Sequence, residues 1–165
     1  MSMLPKMIIS AEHKKMLDEA VHSELYASNL YKHIANQLQR IGYLGATKFF
    51  LSESKDELKH YQLHVEFQND VGTVAKVPMI EAMNDTIETL SDAIETGYET
   101  ELELYNNYKE WYGQASDDPV VQQFLLQFLE IQRTSVGEYG DLLARIQLVD
   151  QDKAGMLLID QKLGG

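Results

Sequence analysis

Apolar residues recur every three or four positions along most of this chain, the spacing of one face of an α-helix. Breakers divide the pattern into a few long pieces. A first segment runs from about Ser10, an N-cap candidate, to about Ile41, where Gly42 ends it. Its rows at heptad spacing are Leu17, Glu24, Tyr31 and Leu38, beside Ala20, Ala27, Ile34 and Ile41. A second runs from about Gly45 to Val71 and ends at Gly72. It carries Ala46, Glu53, His60 and Phe67 beside Phe50, Glu57, His64 and Val71.

A long connection containing Pro78 leads to a third segment, from about Asp85 to Tyr112, stopping at Gly113. Ile87, Ile94, Glu101 and Tyr108 form one of its rows, and Tyr98, Tyr105 and Tyr112 the next. The fourth starts at Asp118-Pro119, with proline at the first helical position, and reaches about Val149. Val121, Phe128, Ser135 and Leu142 lie beside Leu125, Gln132, Tyr139 and Ile146. A short apolar stretch, Met156 to Leu163 (with Gly155 at its start), closes the chain. At 1.5 Å per residue the four long segments are roughly 40 Å each. The pattern predicts an all-α chain in a single domain over residues 1–165, a four-helix bundle with a fifth, terminal helix. The longest connection lies between helices two and three, which predicts a crossover along the bundle and a parallel middle pair.

Composition narrows the function. Cysteine is absent, so disulfides, thiolate metal sites and a cysteine nucleophile are excluded. No apolar run approaches the ~20 residues of a membrane span, and the first ten residues lack a signal-peptide core, so a cytoplasmic location without a membrane partner is expected. A formal charge of −12 repels phosphate backbones and attracts cations, which argues against nucleic acid as a partner.

The informative positions are the polar ones inside the apolar rows. Glu24 sits between Leu17 and Tyr31 in helix one. Glu57 and His60, three apart, project from one face of helix two. Glu101 interrupts the row of helix three, and Gln132 and Ser135 interrupt those of helix four. Buried carboxylates are expensive unless they are paired or hold a cation. Three of them at one level, with one imidazole, form a donor set suited to iron with open coordination positions.

In this order and spacing the residues resemble the non-haem ferritins, bacterial ones in particular. Glu24 to Tyr31 is similar to the family's first-helix motif, Asp56-Glu57-Leu58-Lys59-His60 to its second (normally E-E-x-x-H), and Tyr98 to Glu101 to its third. Ile131-Gln132 is similar to the fourth-helix E-Q pair, and Gly155 to Asp160 to the start of its fifth helix. The resemblance implies a ferritin-like bundle and a ferroxidase with two irons per subunit and no haem. Glu24 and His60 would hold iron A, Glu57 would bridge, Glu101 would hold iron B, Gln132 would lie close to iron B, and Tyr31 would hydrogen-bond beside the centre. It further implies oxidation of Fe(II) by O₂ or peroxide and mineral storage in a homo-oligomeric cage of 24 subunits.

Positions where many bacterial ferritins carry further fourth-helix glutamates resemble Ile131, Thr134 and Ser135 here. That implies a weaker iron B and leaves a less active iron-binding cage as the alternative. Glu53 and His64, one turn to either side of the centre, read as hydrogen-bonded structural residues. Bacterioferritin would need a second E-x-x-H, but Glu130 is followed by Arg133. The mini-ferritins lack the terminal helix, and rubrerythrin needs cysteine.

Overall fold

The five segments all form helices: α1 (Ala11–Arg40), α2 (Leu44–Asp70), α3 (Leu90–Gln114), α4 (Pro119–Val149) and α5 (Lys153–Leu163). The structure is a computed structural model that describes residues 3–165. Helix starts follow from their caps. The side chain of Ser10 accepts from the amide of His13, and that of Asp118 from the amides of Val120 and Val121 ahead of Pro119.

Three boundaries differ from the pattern. The third helix begins at Leu90 rather than Asp85, because Thr89 and Asp92 form a reciprocal capping box that fixes the first turn there. It also continues through Gly113 to Gln114. The fifth starts at Lys153, where Asp152 accepts from the amide of Gly155, ahead of the apolar run. Ile41, placed in an inward row, lies beyond the end of α1 and is 42% exposed.

Short turns join α1 to α2 and α3 to α4, and each pair packs together. The crossover, residues 71–89, can be followed by its contacts. At its start Lys14 Nζ donates to the carbonyl of Val74; near its end His33 and Gln37 hold the carbonyl of Asp85, and the amide of Ile87 donates to Gln37. The strap therefore travels the length of α1, from residue 14 to residue 37, and delivers α3 parallel to α2.

The core lies between the four long helices. In α1 both heptad rows are buried as far as Leu38, and in α4 Leu125, Gln132, Tyr139 and Ile146 are all buried. In α3 the expected tyrosine row is only half buried. The inner stripe beside Ile94, Glu101 and Tyr108 is instead Leu90, Gly97, Leu104 and Trp111. Gly97 belongs there because Tyr139 fills its space: an added Cβ would sit 2.3 Å from the tyrosine ring.

The short α5 docks on α2 of the same chain. The carboxylate of Asp160 accepts from the amides of Gly45 (3.2 Å) and Ala46 (2.7 Å), capping a helix whose own N-cap, Tyr43, supplies no side-chain bond. A Cβ on Gly45 would lie 1.9 Å from the Asp160 carbonyl oxygen, so only glycine admits this approach. Met156 and Ile159 are buried by the docking, whereas Leu157 and Leu158 remain more than half exposed. Among the described residues, no helix is long and apolar enough to cross a membrane.

Candidate metal centre

Two serines set the register of α1 on α2. Ser28 Oγ donates to the carbonyl of Ser54, and Ser54 Oγ donates back to that of Ser28, both at 2.8 Å. Ser28 is one turn from Glu24, and Ser54 one turn from Glu57. The clasp therefore places Glu24 level with Glu57 and His60 across the helix pair. A ligand atom from each of the three lies within 4.8 Å of the others. Nδ1 of His60 is 3.3 Å from Glu57 Oε2 and 3.5 Å from Glu24 Oε2.

The charges are divided unevenly. Burial alone would raise Glu24, but the His60 and Glu57 side chains beside it hold it at about 2, so it is ionised. Glu57 is pushed far upward by burial and then by repulsion from Glu24 and Glu101. Burial and the neighbouring carboxylates thus favour the protonated form of Glu57 when no cation is present. Burial disfavours a charged His60, yet the Glu24 carboxylate 3.5 Å away outweighs it and the imidazole is raised. One oxygen shows how the cluster is open: Glu24 Oε2 is fully buried and has no hydrogen-bond partner.

Glu101 is equally buried but differently placed. Its Oε1 accepts from the Tyr31 hydroxyl at 2.7 Å and its Oε2 from the Gln132 amide at 2.6 Å. It does not join the three-residue cluster. The Gln132 side-chain oxygen is buried without a partner. The structure thus brings all six predicted residues, Glu24, Tyr31, Glu57, His60, Glu101 and Gln132, to one level of the bundle. It separates them into an open triad and a hydrogen-bonded group.

A cavity of ≈ 660 Å³ opens beside them between α2 and α4, lined by Glu53, Glu57, His60, Glu130, Ser135 and Glu138 among others. Ser135 lies in this wall and is half buried, so the fourth-helix row loses its burial at the level of the centre. Glu53, next to the same cavity, is raised to about 7 by burial and by Glu101.

A family profile described as the ferritin-like domain matches residues 14–149, which include every one of these positions. The chain belongs to the ferritin family. This ferritin is 27% identical over 159 residues to a probable bacterial non-heme ferritin-like protein of Haemophilus influenzae, covering 95% of this chain and 96% of that one. It is 28% identical to a ferritin of Pacifastacus leniusculus, over 89% and 84% of the two chains. Among solved structures, an open-pore ferritin of Archaeoglobus fulgidus superposes with a TM-score of 0.91 at 23% identity, over 94% of this chain and 98% of that one.

Two further residues support the site in this ferritin: Tyr108, which the sequence reading does not single out, and His64, which it reads as a hydrogen-bonded structural residue. The Tyr108 hydroxyl donates to Glu24 Oε1 at 2.5 Å, and His64 Nε2 lies 2.8 Å from that hydroxyl. A signal was available. Tyr108 stands one heptad beyond Glu101, and His64 one heptad beyond Glu57, each in the same inward row. Polar tips at core positions need partners.

Proposed function

We propose that this ferritin is the subunit of an iron-storage cage and oxidises Fe(II) at a centre built from Glu24, Glu57, His60 and Glu101. The observation that carries the reading is the open triad: two buried carboxylates and an imidazole with ligand atoms within 4.8 Å. One carboxylate oxygen in it is buried and lacks a partner. Such an arrangement is costly without a cation and satisfied by one.

In this reading the acidic cavity between α2 and α4 admits Fe(II) as substrate. Glu24, Glu57 and His60 take the first ion, and Glu57 gives up its proton and faces both positions. Glu101 and the free oxygen of Gln132 take the second once Glu101 turns from Tyr31 or shares its oxygens. Two Fe(II) supply the two electrons that convert O₂, with two protons, to hydrogen peroxide. Ferric product then hydrolyses and mineralises inside a homo-oligomer, for which a 24-subunit cage is the proposed form. Iron is the only metal required, with no haem, and a cytoplasmic location fits the reading.

The test is aerobic oxidation by the purified protein, following O₂ uptake and ferric absorbance after Fe(II) is added in small equivalents. The expected result is rapid oxidation of the first ions at a rate above the protein-free control. A control-level rate defeats the enzymatic reading.

A second reading is favoured by the engaged Glu101. If the hydrogen bonds from Tyr31 and Gln132 prevail and Ser135 leaves the second position short of charge, the protein holds iron in a cage but oxidises it slowly. Tight binding of one cation per subunit with slow oxidation would identify that case.

A further inference from the structure

The carboxylate of Glu24 uses its two oxygens differently. Oε1 accepts a hydrogen bond from Tyr108, while Oε2 faces His60 Nδ1 and has no partner. A tyrosine has one hydroxyl proton. Since that proton goes to Glu24, the 2.8 Å contact between Tyr108 and His64 Nε2 has the nitrogen as donor. His64 therefore carries its proton on Nε2 and leaves Nδ1 bare. Nδ1 is the ring atom that is buried without a partner, which agrees, because the other tautomer would bury an N–H lacking any acceptor. Burial lowers His64 to about 4, so the ring stays neutral.

Both rings are packed among aromatic side chains. His64 stacks on Phe128 at 4.6 Å and meets Phe124 edge-on at 4.9 Å. Tyr108 stacks on Phe128 at 5.0 Å and meets Trp111 edge-on at 5.1 Å. A buried histidine–tyrosine pair serving only the core would be packed in the same way. Here the chain ends on Glu24 Oε1 and not on Oε2, the oxygen 3.5 Å from His60 Nδ1.

We propose that Tyr108 and His64 are positioning residues for cation binding: their directed chain of hydrogen bonds occupies Oε1 of Glu24 and leaves Oε2 as its single ligand atom. This rests on the reading that Glu24, Glu57 and His60 bind a divalent cation. The chain gives Glu24 a fixed orientation before the ion arrives, the kind of outer support that tunes a metal ligand. Glu101 lacks such a division, since each of its oxygens accepts one bond.

Co(II) is the probe, added to the intact metal-free protein and followed by heat and by visible absorption. The parent should show a tight first equivalent that Glu24→Ala lacks. Tyr108→Phe should weaken that equivalent by about 10- to 100-fold, the range of outer-support losses. It should also lower the absorption per cobalt, as a released Glu24 closes on the ion with both oxygens and raises its coordination number. His64→Leu should weaken the first equivalent in the same direction. His64→Gln keeps an N–H for Tyr108 and should restore most of the affinity. A merely structural role predicts the opposite ranking, with the apolar leucine at least as good as glutamine among Phe124 and Phe128 and the cobalt isotherm unmoved. Melting curves of each variant establish that it is folded, and the His64→Leu and His64→Gln pair decides the matter if Tyr108→Phe does not fold. Parent-like cobalt affinity and spectrum in folded Tyr108→Phe, or in His64→Leu, overturns the proposal while the cation reading stands. Absence of the Glu24-dependent equivalent in the parent overturns both.

Discussion

The two halves of the centre are built from the same chemistry and are prepared for different things. On one side Glu24 offers a buried oxygen with no partner, held by Tyr108 from behind and facing His60 and Glu57. On the other, Glu101 has each oxygen bonded, to Tyr31 and to Gln132. Both carboxylates are buried to the same degree, so burial does not distinguish them. The difference lies in how many lone pairs remain unsatisfied, because a buried oxygen that already accepts a good hydrogen bond gains less from a cation than one that accepts none. In the proposed two-ion reading, the first half is preformed and the second must rearrange.

The harshest test removes what the halves share. Glu57→Ala should slow Fe(II) oxidation more than about 100-fold, beyond the range of outer-support losses, because both positions lose an anionic ligand. Stopped-flow traces at matched Fe(II) loading read this directly, and a parental rate would end the two-ion reading.

Separate removal of the terminal ligands should break the symmetry. In calorimetric titrations with Zn(II), Glu24→Ala should lose the tight first equivalent altogether. Glu101→Ala should keep it and lose only the weaker second. Equal damage from the two changes would show that the halves are alike after all.

The weak half can also be strengthened. Ser135 lines the cavity beside the centre, so Ser135→Glu should add an anionic oxygen there. We expect the second ion to bind roughly tenfold more tightly, equivalent to about 1.4 kcal/mol, with the first unchanged.

The smallest effect concerns the metal-free fold. Glu57 is raised above its ordinary 4.5, so its contribution to stability is fully present below that value and is lost as pH rises through the higher folded one. Glu57→Gln cannot ionise. Its melting temperature should therefore fall less than the parent's between about pH 5 and about pH 8, with each kcal/mol worth about 2–4 °C in a chain of this size. Parallel curves would mean that Glu57 holds no proton in the empty site.

Much of this centre was legible in advance because it depends on local spacing. Glu24, Glu57, Glu101 and Gln132 each interrupt an apolar row, and heptad spacing alone turns those positions inward. The inner stripe of α3 is not legible in the sequence, for a related reason. Tyr98, Tyr105 and Tyr112 are apolar enough to be core, and Gly97 gives no hydrophobic signal; only the ring of Tyr139 shows why a glycine faces inward.

By itself the sequence determined the number of long helices, their approximate ends, the crossover and the residues that meet in the middle. These follow from periodicity, caps and breakers, which act within a few residues of one another. The tertiary structure decided which oxygen of each carboxylate is free. That depends on how four rigid helices are registered: Ser28 clasps Ser54 across α1 and α2, the strap along α1 sets the entry of α3, and Asp160 caps α2 from α5. A hydrogen bond is made or lost over about half an ångström. No pattern along one helix can specify the relative position of two helices that finely, so the readiness of the Glu24 half and the engagement of the Glu101 half appear only once all the helices are in place.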